Sequence, residues 1–577
     1  MASSYERLSS GLRINRAADD AAGVAVSSKL GMHARVYGQA LRNANDGISA
    51  INIAEGAVTQ LSEILIRIKE LAEGASNGTL ALTQRRSLDT EAKALTDEFN
   101  RILSGTKFNR NKLIDGSLGE LGIQLGFGSN GRLALGVGEG LERNVGTGAF
   151  TYTNPNYTAN TEAVADFNGD GRADVILGVA NAVVVDMSDA TGAQNGGNTE
   201  LASGVLAFGV GAADVNNDGK MDALYFEWGS TILRVRHGNG DGTFGAEAQT
   251  ASGGVLRAFG GAISIADFNG DGHLDVAAGS LNGTSVFLNN QSGGFSSGVV
   301  YSGNTSFYGT KSGDLNGDGR VDIIANNGYY LGNGDGTFGG WQSNGSGDGL
   351  FDVGDFNQDG ILDIVRYSEG DSSLYLLRGL GDETFAAAVD LGDRGAFGVE
   401  LEDYNGDGLL DLVTVGASIV ASTGNGDGTF GTPVTSTFGF GGGNALLADF
   451  TGDGVLDLQT GGARYLASST TTNNVQRFNL TTADEALSTL DLLDEYMARV
   501  TEELGNLGSA QSRLQSAVNT ISRTRENYFA AYIRIVDVDV ADETSKLLVN
   551  QIRQQAAAAI MAQANQAPSL ALVLLAR

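Results

Sequence analysis

The stretch IADFNGDGHLDVAAG, residues 265–279, places three aspartates and one asparagine within nine positions and then continues into small and apolar residues. Counting from Asp267, oxygen-bearing side chains occupy positions 1, 3, 5 and 9. Gly272 at position 6 allows a sharp turn with positive φ, and His273 at position 7 offers its backbone carbonyl. Oxygens at this spacing can converge on one hard cation, so the stretch predicts a calcium loop.

The same pattern occurs seven times, and we number the copies loop 1 to loop 7 in chain order. The candidate metal ligands, at positions 1, 3, 5 and 9 of each loop, are Asp166, Asn168, Asp170, Asp174; Asp214, Asn216, Asp218, Asp222; Asp267, Asn269, Asp271, Asp275; Asp314, Asn316, Asp318, Asp322; Asp355, Asn357, Asp359, Asp363; Asp403, Asn405, Asp407, Asp411; and Asp449, Thr451, Asp453, Asp457. One such loop would be read as a solvated turn, whereas seven in register favour up to seven Ca²⁺. Thr451 replaces the asparagine, so we expect loop 7 to bind most weakly.

The residues around the loops predict strands rather than helices. An EF-hand would carry a glutamate at position 12 and continue as a helix, but these loops close with Asp at position 9 and run into short apolar segments. Successive loops start 48, 53, 47, 41, 48 and 46 residues apart, a period that suits one four-stranded propeller blade. The turn GDGTF, at 240–244, 334–338 and 426–430, is a hairpin signal. Seven repeats therefore predict seven blades.

The two ends of the repeat region predict how the ring closes. No hairpin turn follows loop 7, but an equivalent segment, GTGAFTYT at 146–153, precedes loop 1. We therefore expect a strand at 149–153 to complete the last blade, which leaves no open sheet edge. Closure of this kind brings the two ends of the repeat region together, as a domain inserted into a host requires.

Charge and composition narrow the classes of partner. The chain of 577 residues has a net charge of −31, and residues 147–474 hold 11 basic and 40 acidic residues, 21 of which are loop aspartates. Such an acidic surface argues against nucleic acid, and bound cations would relieve its repulsion. There is no cysteine, no apolar run long enough to span a membrane, and no secretory signal in MASSYERLSS, so we expect no membrane partner.

Outside the repeats, apolar residues recur three or four apart, as in amphipathic helices. One such stripe runs from Ala44 to Ala72, and another from Leu490 to Ile521 is interrupted only by Gln511. Two stripes that flank one insert predict an antiparallel helical bundle or coiled coil built from both chain ends. The fold class is therefore multidomain α and β, with an inserted seven-bladed all-β propeller.

Specific motifs identify resemblances to two families. The repeats resemble the FG-GAP/VCBS repeats of integrin-α-type propellers in FGVGAADVNNDG and FGGAISIADFNGDG. ERLSSGLRINRAADDAAG (6–23), RNANDGISAINIAEGA (42–57), FNRNKLIDGS (108–117) and LGSAQSRLQSAVNTI (507–521) resemble bacterial flagellin. Together they predict a flagellin-like N-terminal half at 1–146, the propeller at 147–474, a bundle helix at 475–535 and a filament-core helix at 536–577. Members of that family usually begin with a further N-terminal helix of about thirty residues, so we expect either a truncated start or unusual assembly.

The resemblance to flagellin implies a function in assembly rather than catalysis. We expect a structural subunit of an extracellular flagellar filament, exported without a cleavable secretory signal through the flagellar export apparatus and assembled under its cap. The alternative is a surface adhesin that binds glycans or host surfaces, carried on a flagellin-like or hook-filament junction protein. Tyr329, Tyr330 and Trp341 are candidates for a ligand face, although blade packing explains them equally well.

Two further expectations concern chemistry and recognition. The three histidines stand apart from one another, and the aspartates are better explained as ligands than as acid–base pairs, so we predict no enzyme activity. ILIRIKELAE (64–73) resembles the flagellin helix that host innate immune receptors recognise, with Arg67 at a basic position of that segment. A solvated charge on the bundle surface is an equally good reading of Arg67.

Overall fold

The computed structural model describes residues 2–575, apart from 79, 129–130, 154–157, 195–196, 258–260, 304–308, 326, 345–348, 369, 394–397 and 438–443. The chain divides into two compact units. The first unit comprises residues 1–59, 106–140 and 501–577, and the second comprises residues 60–105 and 141–500.

In the described part of the chain, five α-helices lie near its two ends. They are α1 (Ala2–Ser10), α2 (Ala21–Ala75), α3 (Leu82–Gly105), α4 (Ala483–Val536) and α5 (Val540–Leu575). Helix α4 begins with a capping box, because the Thr482 hydroxyl accepts a hydrogen bond from the backbone N–H of Glu485 at 3.2 Å and the Glu485 carboxylate accepts one from the N–H of Thr482 at 3.2 Å. This reciprocal cap fixes where the C-terminal helical region starts.

The first unit is helical and carries two small hairpins. Its hairpins pair β1 (Lys107–Phe108) with β2 (Asn111–Lys112) and β3 (Glu120–Gln124) with β4 (Arg132–Gly136). Ala44, Ile51 and Leu514 are fully buried, as the predicted stripes require. Gln511, the polar residue that interrupts the second stripe, donates a hydrogen bond from Nε2 to Oδ1 of Asn52 at 2.9 Å.

The second unit contains a seven-bladed propeller. Its blades, numbered with their loops, contain these strands: blade 1, β6 (Ala159–Ala165), β7 (Asp174–Val179), β8 (Ala182–Asp186), β9 (Asn198–Ser203); blade 2, β10 (Ala207–Ala213), β11 (Asp222–Glu227), β12 (Ile232–Gly238), β13 (Phe244–Ala251), with β14 (Gly261–Ala262) parallel to β10; blade 3, β15 (Ser264–Ala266), β16 (Asp275–Ser280), β17 (Gly283–Phe287), β18 (Val299–Ser302); blade 4, β19 (Thr310–Gly313), β20 (Asp322–Ala325), β21 (Gly328–Tyr330), β22 (Gln342–Ser343); blade 5, β23 (Phe351–Gly354), β24 (Asp363–Ser368), β25 (Ser373–Leu377), β26 (Val389–Asp393); blade 6, β27 (Gly398–Glu402), β28 (Asp411–Val415), β29 (Ser418–Ser422), β30 (Val434–Thr437); and blade 7, β31 (Leu446–Ala448), β32 (Asp457–Thr460), β33 (Ala463–Thr472) and β5 (Arg143–Tyr152).

The core of the propeller lies between neighbouring blades. The second strand of blade 1 is apolar on both faces, and Val175, Ile176 and Leu177 are fully buried. Both faces of a blade pack against a neighbouring blade. The strand is therefore a continuous apolar run, whereas a strand with one solvent-exposed face would alternate apolar and polar residues. Phe226 of blade 2 and Phe287 of blade 3 belong to one such shared cluster.

The predicted closure of the ring is confirmed. Strand β5 pairs antiparallel with β33, with Tyr152 opposite Tyr465 and Phe150 opposite Ala467. The strand begins at Arg143, six residues before the predicted Ala149. Phe150 is buried, and its ring centroid lies 6.5 Å from that of Tyr404 in blade 6. The N-terminal strand thus completes the last sheet and contacts the blade before it.

Candidate metal loops

All seven loops occupy the same place in their blades. Each loop joins the first strand to the second, and its position-9 aspartate is the first residue of the second strand. The glycine at position 6 has a positive φ in every loop, from 77° in Gly360 to 83° in Gly272. The predicted sharp turn is therefore present seven times, where a side chain would be strained.

The first aspartate of each loop holds this turn. Its Oδ2 accepts a hydrogen bond from the backbone N–H of the position-6 glycine, as in Asp166 with Gly171 at 2.8 Å and Asp355 with Gly360 at 2.6 Å. The equivalent bonds of loops 2, 3, 4, 6 and 7 join Asp214 to Gly219, Asp267 to Gly272, Asp314 to Gly319, Asp403 to Gly408 and Asp449 to Gly454. These hydrogen bonds within the loop therefore hold its turned backbone conformation.

The ninth aspartate has a structural role that the spacing did not reveal. In Asp275, Oδ1 accepts the N–H of Asn289, which follows the third strand, at 2.7 Å, and Oδ2 accepts the N–H of Phe268 at 3.0 Å. The Oδ1 bond recurs in every blade, to Ser188, Gly238, Asn289, Gly332, Gly379, Gly424 and Ala467. These partners lie ten to sixteen residues away, and four of the seven are glycine whereas the others are serine, asparagine and alanine, so no single residue type marked the bond in the sequence.

Burial and mutual repulsion act on these carboxyl groups. Burial is the main cause that raises the pKa of Asp174 to about 6, and the negative charges of Asp170 and Asp166 add to it. The pKa rises to about 8 in Asp363 and in Asp411, again mainly through burial and then through the other two aspartates of the same loop. In loops 1, 5 and 6 the other two carboxylates therefore act electrostatically on the position-9 aspartate, as neighbouring ligands of one cation would.

The donor set fits calcium in kind, but the carboxylates do not form a closed cage. Each loop offers only oxygen donors around a glycine turn, which suits a hard cation. Within the described residues, however, no group of three or more Asp, Glu, His or Cys side chains could hold a metal ion. In loop 1, Oδ2 of Asp170 instead accepts a bond from Arg172 at 2.6 Å. Calcium binding would require the carboxylates at positions 1 and 5 to turn toward a common centre.

The position-3 side chains differ between loops as the sequence suggested. In loop 3, Nδ2 of Asn269 donates to Oδ2 of Asp275 at 3.3 Å, whereas in loop 7 the hydroxyl of Thr451 donates to Oδ1 of Asp449 at 3.2 Å. The threonine thus occupies a lone pair of the first aspartate. The weakness of loop 7 stays a prediction.

The aromatic residues considered for a ligand face belong to the blade core. Tyr329 is 4% exposed and Tyr330 is 1% exposed. The ring of Trp341 lies 5.0 Å from that of Tyr330. Packing between strands explains Tyr330 and Trp341, whereas Tyr329 also lines a groove on blades 4 and 5.

Known families match the chain in three regions. Residues 1–118 match the bacterial flagellin N-terminal helical region, and residues 490–575 match the bacterial flagellin C-terminal helical region. FG-GAP-like repeats match residues 166–225, 214–278, 267–325, 314–366 and 355–414. The matched segments overlap because each begins at one loop and ends just beyond the next loop.

Individual flagellins are similar to part of this chain. Flagellin A of Vibrio anguillarum is 46% identical over 134 residues, which is 23% of this chain and 35% of its own. Flagellin B of Vibrio cholerae is 39% identical over 181 residues, 31% of this chain and 47% of its own. The chain thus spans between about a third and a half of the length of these curated relatives. An Agrocybe aegerita lectin structure is 22% identical, covers 50% of this chain and 80% of its own, and has a TM-score of 0.37.

The matches at the two ends and the matches between them describe different parts of one chain. The helical regions contain α1 to α3, most of α4 and all of α5, and the matched repeats run from loop 1 to the second strand of blade 6. The chain therefore carries the N- and C-terminal helical regions of bacterial flagellin, with a seven-bladed propeller of FG-GAP-like repeats inserted between them.

Proposed function

We propose that the protein is a structural subunit of a bacterial flagellar filament that displays a calcium-stabilised propeller on the filament surface. The observation that carries the proposal is the pair of flagellin helical regions, residues 1–118 and 490–575, on either side of the propeller. A filament subunit functions by assembly, so the proposal assigns no catalytic residue. It places the protein outside the cell, delivered by the flagellar export apparatus and folded under the filament cap.

The C-terminal helix supports assembly. Large apolar side chains of α5 are exposed, among them Leu548 at 57%, Ile552 at 58%, Ile560 at 66% and Met561 at 66%. An apolar surface of this kind marks a site of association with another protein. We propose that it is covered by other subunits in the filament. No helix in the described part of the chain is long and apolar enough to cross a membrane.

Mass spectrometry of appendages sheared from the source cells tests the filament proposal. We expect abundant peptides from both helical regions and from the propeller in the filament fraction. Immunogold labelling with an antibody against the propeller should decorate intact filaments, because the insert is proposed to face outward. A filament fraction without this protein would contradict the proposal.

Calcium binding is the second part of the proposal, and the charges of the loops support it. The repeat region carries far more acidic than basic residues, and in loops 1 and 3 the other two aspartates add to the raised pKa of the position-9 aspartate. Bound Ca²⁺ would neutralise this charge and thereby stabilise the propeller. If the loops resemble extracellular calcium modules, the dissociation constants should be about 10⁻⁴ to 10⁻³ M.

The two tryptophans allow a selective test of calcium binding. Trp228 and Trp341 are the only tryptophans, and both lie in the repeat region, whereas the long helices dominate circular dichroism at 222 nm. We expect a chelator to lower the melting temperature reported by tryptophan fluorescence and to leave the helical signal nearly unchanged. Magnesium at equal concentration serves as the control. Equal fluorescence melting with and without chelator would contradict calcium binding.

A second candidate function is adhesion through the propeller, and a polar groove favours it. A cavity of about 620 Å³ on blades 4 and 5 is lined by Gln342, Ser343, Arg366 and Asp382, among others. Amide, hydroxyl and guanidinium groups of this kind suit the hydroxyl groups of a glycan. Repeated display along a filament would strengthen weak binding through avidity. A glycan array probed with the full chain tests this function, and Ser343→Trp, which would fill the groove, should abolish any binding seen.

The proposal also includes recognition by an innate immune receptor, supported by resemblance at Arg67. The Arg67 guanidinium donates to Glu70 and to Glu91 at 2.8 Å each, and its side chain is 49% exposed. Arg67→Ala should reduce receptor binding at least tenfold, whereas Arg101→Ala, which removes another exposed arginine paired with a glutamate, should not. No binding by the unmutated chain would remove this part of the proposal.

A further inference from the structure

Loops 5 and 6 differ from loops 1, 2 and 3 in what they contact. Within the second unit, we call residues 60–105 and 473–500 the stem, because they comprise the ends of α2 and α4, all of α3 and the linker that leaves the propeller. Loops 5 and 6 touch the stem through the linker. Among the described residues, loops 1, 2 and 3 make their contacts within the propeller, as in Asn217 of loop 2, whose Nδ2 donates to the carbonyl of Gly272 in loop 3.

Loop 6 contacts the linker through its backbone. The N–H of Arg477 donates to the carbonyl of Asp407 at 3.0 Å. A Cβ built on Gly408 would overlap the backbone of Arg477, so only glycine fits at this close approach. Arg143, in the strand that closes the ring, donates from Nη2 to the carbonyl of Gly406 and from Nε to that of Asn474 at 3.1 Å. Loop 6 is therefore joined to the linker directly by the Arg477 bond and indirectly through Arg143, which bonds to both segments.

Loop 5 contacts the start of α4 through a candidate metal ligand. The hydroxyl of Thr481 lies 3.5 Å from Oδ2 of Asp355, which is only 3% exposed. The same hydroxyl lies 3.1 Å from Oε2 of Glu485, the carboxylate of the α4 capping box. A Cβ built on Gly360 would lie 2.6 Å from Cδ1 of Leu82 in α3. Loop 5 thus contacts α3 and Thr481, which lies two residues before the start of α4.

The linker between these contacts is itself fixed to the stem. Asn100 of α3 donates from Nδ2 to the carbonyl of Val475 and accepts the N–H of Val475, both at 2.9 Å. The N–H of Leu480 donates to Oδ1 of Asp89 at 3.1 Å. A change in loop 5 or 6 is therefore transmitted to a segment held directly by α3, without a flexible spacer.

We propose that loops 5 and 6 form a calcium-dependent attachment of the propeller to the stem, whereas loops 1, 2 and 3 stabilise only their own blades. The inference rests on the proposed calcium binding. Asp355 and Asp407 are candidate ligands that also contact the linker. Oδ2 of Asp355 lies 3.5 Å from the Thr481 hydroxyl, and the backbone carbonyl of Asp407 accepts the N–H of Arg477. Two equilibria that share residues are coupled, so metal occupancy and attachment must influence each other.

The charges give the direction of this coupling. Without a cation, the Asp355 carboxylate of loop 5 is repelled by the Glu485 carboxylate, because the Thr481 hydroxyl lies close to both and like charges in a buried place repel. A calcium ion in loop 5 would offset that repulsion and hold the loop against α4. Calcium should therefore tighten the attachment, and its removal should loosen the propeller on the stem.

Distance measurements between two spin labels test the inference in the full chain. The chain has no cysteine, so Ser104→Cys in α3 and Ser292→Cys in blade 3 give unique labelling sites. The test variant carries Asp359→Asn and Asp407→Asn, at position 5 of loops 5 and 6. The matched control carries Asp218→Asn and Asp271→Asn, at position 5 of loops 2 and 3. Calorimetric titration with calcium counts the sites in each protein.

We expect calcium to narrow the distance distribution of the unmutated chain and of the control at least twofold, and to leave that of the test variant broad. Both variants should lose the same number of calcium sites. Equal narrowing in the test variant would overturn the inference. Calcium uptake without any narrowing in the unmutated chain would also overturn it and leave the proposed calcium binding intact, whereas absence of uptake would overturn both.

Discussion

At the scale of single residues, each position-9 aspartate is both a hydrogen-bond acceptor within its blade and a candidate metal ligand. Asp275 is buried and accepts backbone bonds from Asn289 and Phe268, so it ties the loop to the third strand of its blade. Burial at the same time raises its pKa to about 6. An ionisable group in such a place costs stability unless a cation or several donors offset its charge. The structural and the ligating role of this residue are therefore separable by experiment.

Asp275→Ala should destabilise the propeller even in the presence of a chelator. Each buried N–H left without an acceptor costs about 1–3 kcal/mol, although removal of the buried carboxylate offsets part of this loss. Urea unfolding followed by tryptophan fluorescence measures the effect. Asp271→Ala, at exposed position 5 of the same loop, should change stability in chelator by only about 0.5 kcal/mol or less. Equal effects of the two variants would contradict a structural role of Asp275.

Glu162 should make the stability of the propeller depend on pH. It is 3% exposed, and burial raises its pKa from 4.5 to about 7 even though Oε1 accepts the N–H of Gly462 at 2.6 Å. The folded state therefore holds the proton more tightly than the unfolded state. Its stabilising contribution is fully present below about pH 4.5 and is lost as the pH rises through about 7.

Glu162→Gln should remove this pH dependence. At pH 8 we expect the variant to be more stable than the unmutated chain by about 1–3 kcal/mol, and at pH 4.5 the difference should vanish. Glu200→Gln, an exposed substitution with the same charge change in the same blade, is the control and should have little effect. Urea unfolding at several pH values measures the difference in the free energy of unfolding. A lower stability of Glu162→Gln than of the unmutated chain at pH 8 would contradict the prediction.

At the scale of elements, the closing strand β5 should carry a large share of propeller stability. Phe150 is buried against blade 6, and its backbone N–H donates to the hydroxyl of Ser436 at 2.9 Å. Phe150→Ala should destabilise the propeller by about 3–5 kcal/mol, the usual cost of such a cavity. Tyr152→Ala, at the 37% exposed end of the same strand, is the control and should cost less. Fluorescence-detected unfolding compares them, and equal losses would contradict the assignment.

The elements that sequence predicted well are those whose signal is local. The seven turns were predicted because position-6 glycine and the loop aspartates lie within nine residues of one another. The closing strand was predicted because no hairpin turn follows loop 7, whereas an equivalent segment at 146–153 precedes loop 1. The bond from Asp275 to Asn289 was not predicted, since any residue can supply a backbone N–H. The contacts of loops 5 and 6 with the linker were not predicted either, because loop 6 and Arg477 are about seventy residues apart and no periodic pattern joins them.

At the scale of the whole molecule, the exposed apolar side of α5 should control assembly without controlling the fold of the subunit. Leu548→Asp with Ile552→Asp replaces two exposed apolar side chains by charges, which an assembled apolar interface cannot bury. We expect loss of pelletable filaments and a nearly unchanged melting temperature of the monomer. Ser545→Asp, a new charge at an exposed polar position of the same helix, is the control. Normal filament yield from the double variant would contradict the proposed role of α5.

The way in which the ring closes has a consequence for the order of folding. Thr153, just beyond β5, bonds to Arg464 of β33, and the two residues are 311 positions apart in the chain. During synthesis, the strand that emerges first must wait unpaired until six other blades have been made. Contacts of such high sequence separation form late and slowly. A chain emerging from a ribosome or an export channel therefore stays an open arc, with both terminal sheets exposed, until its last blade arrives.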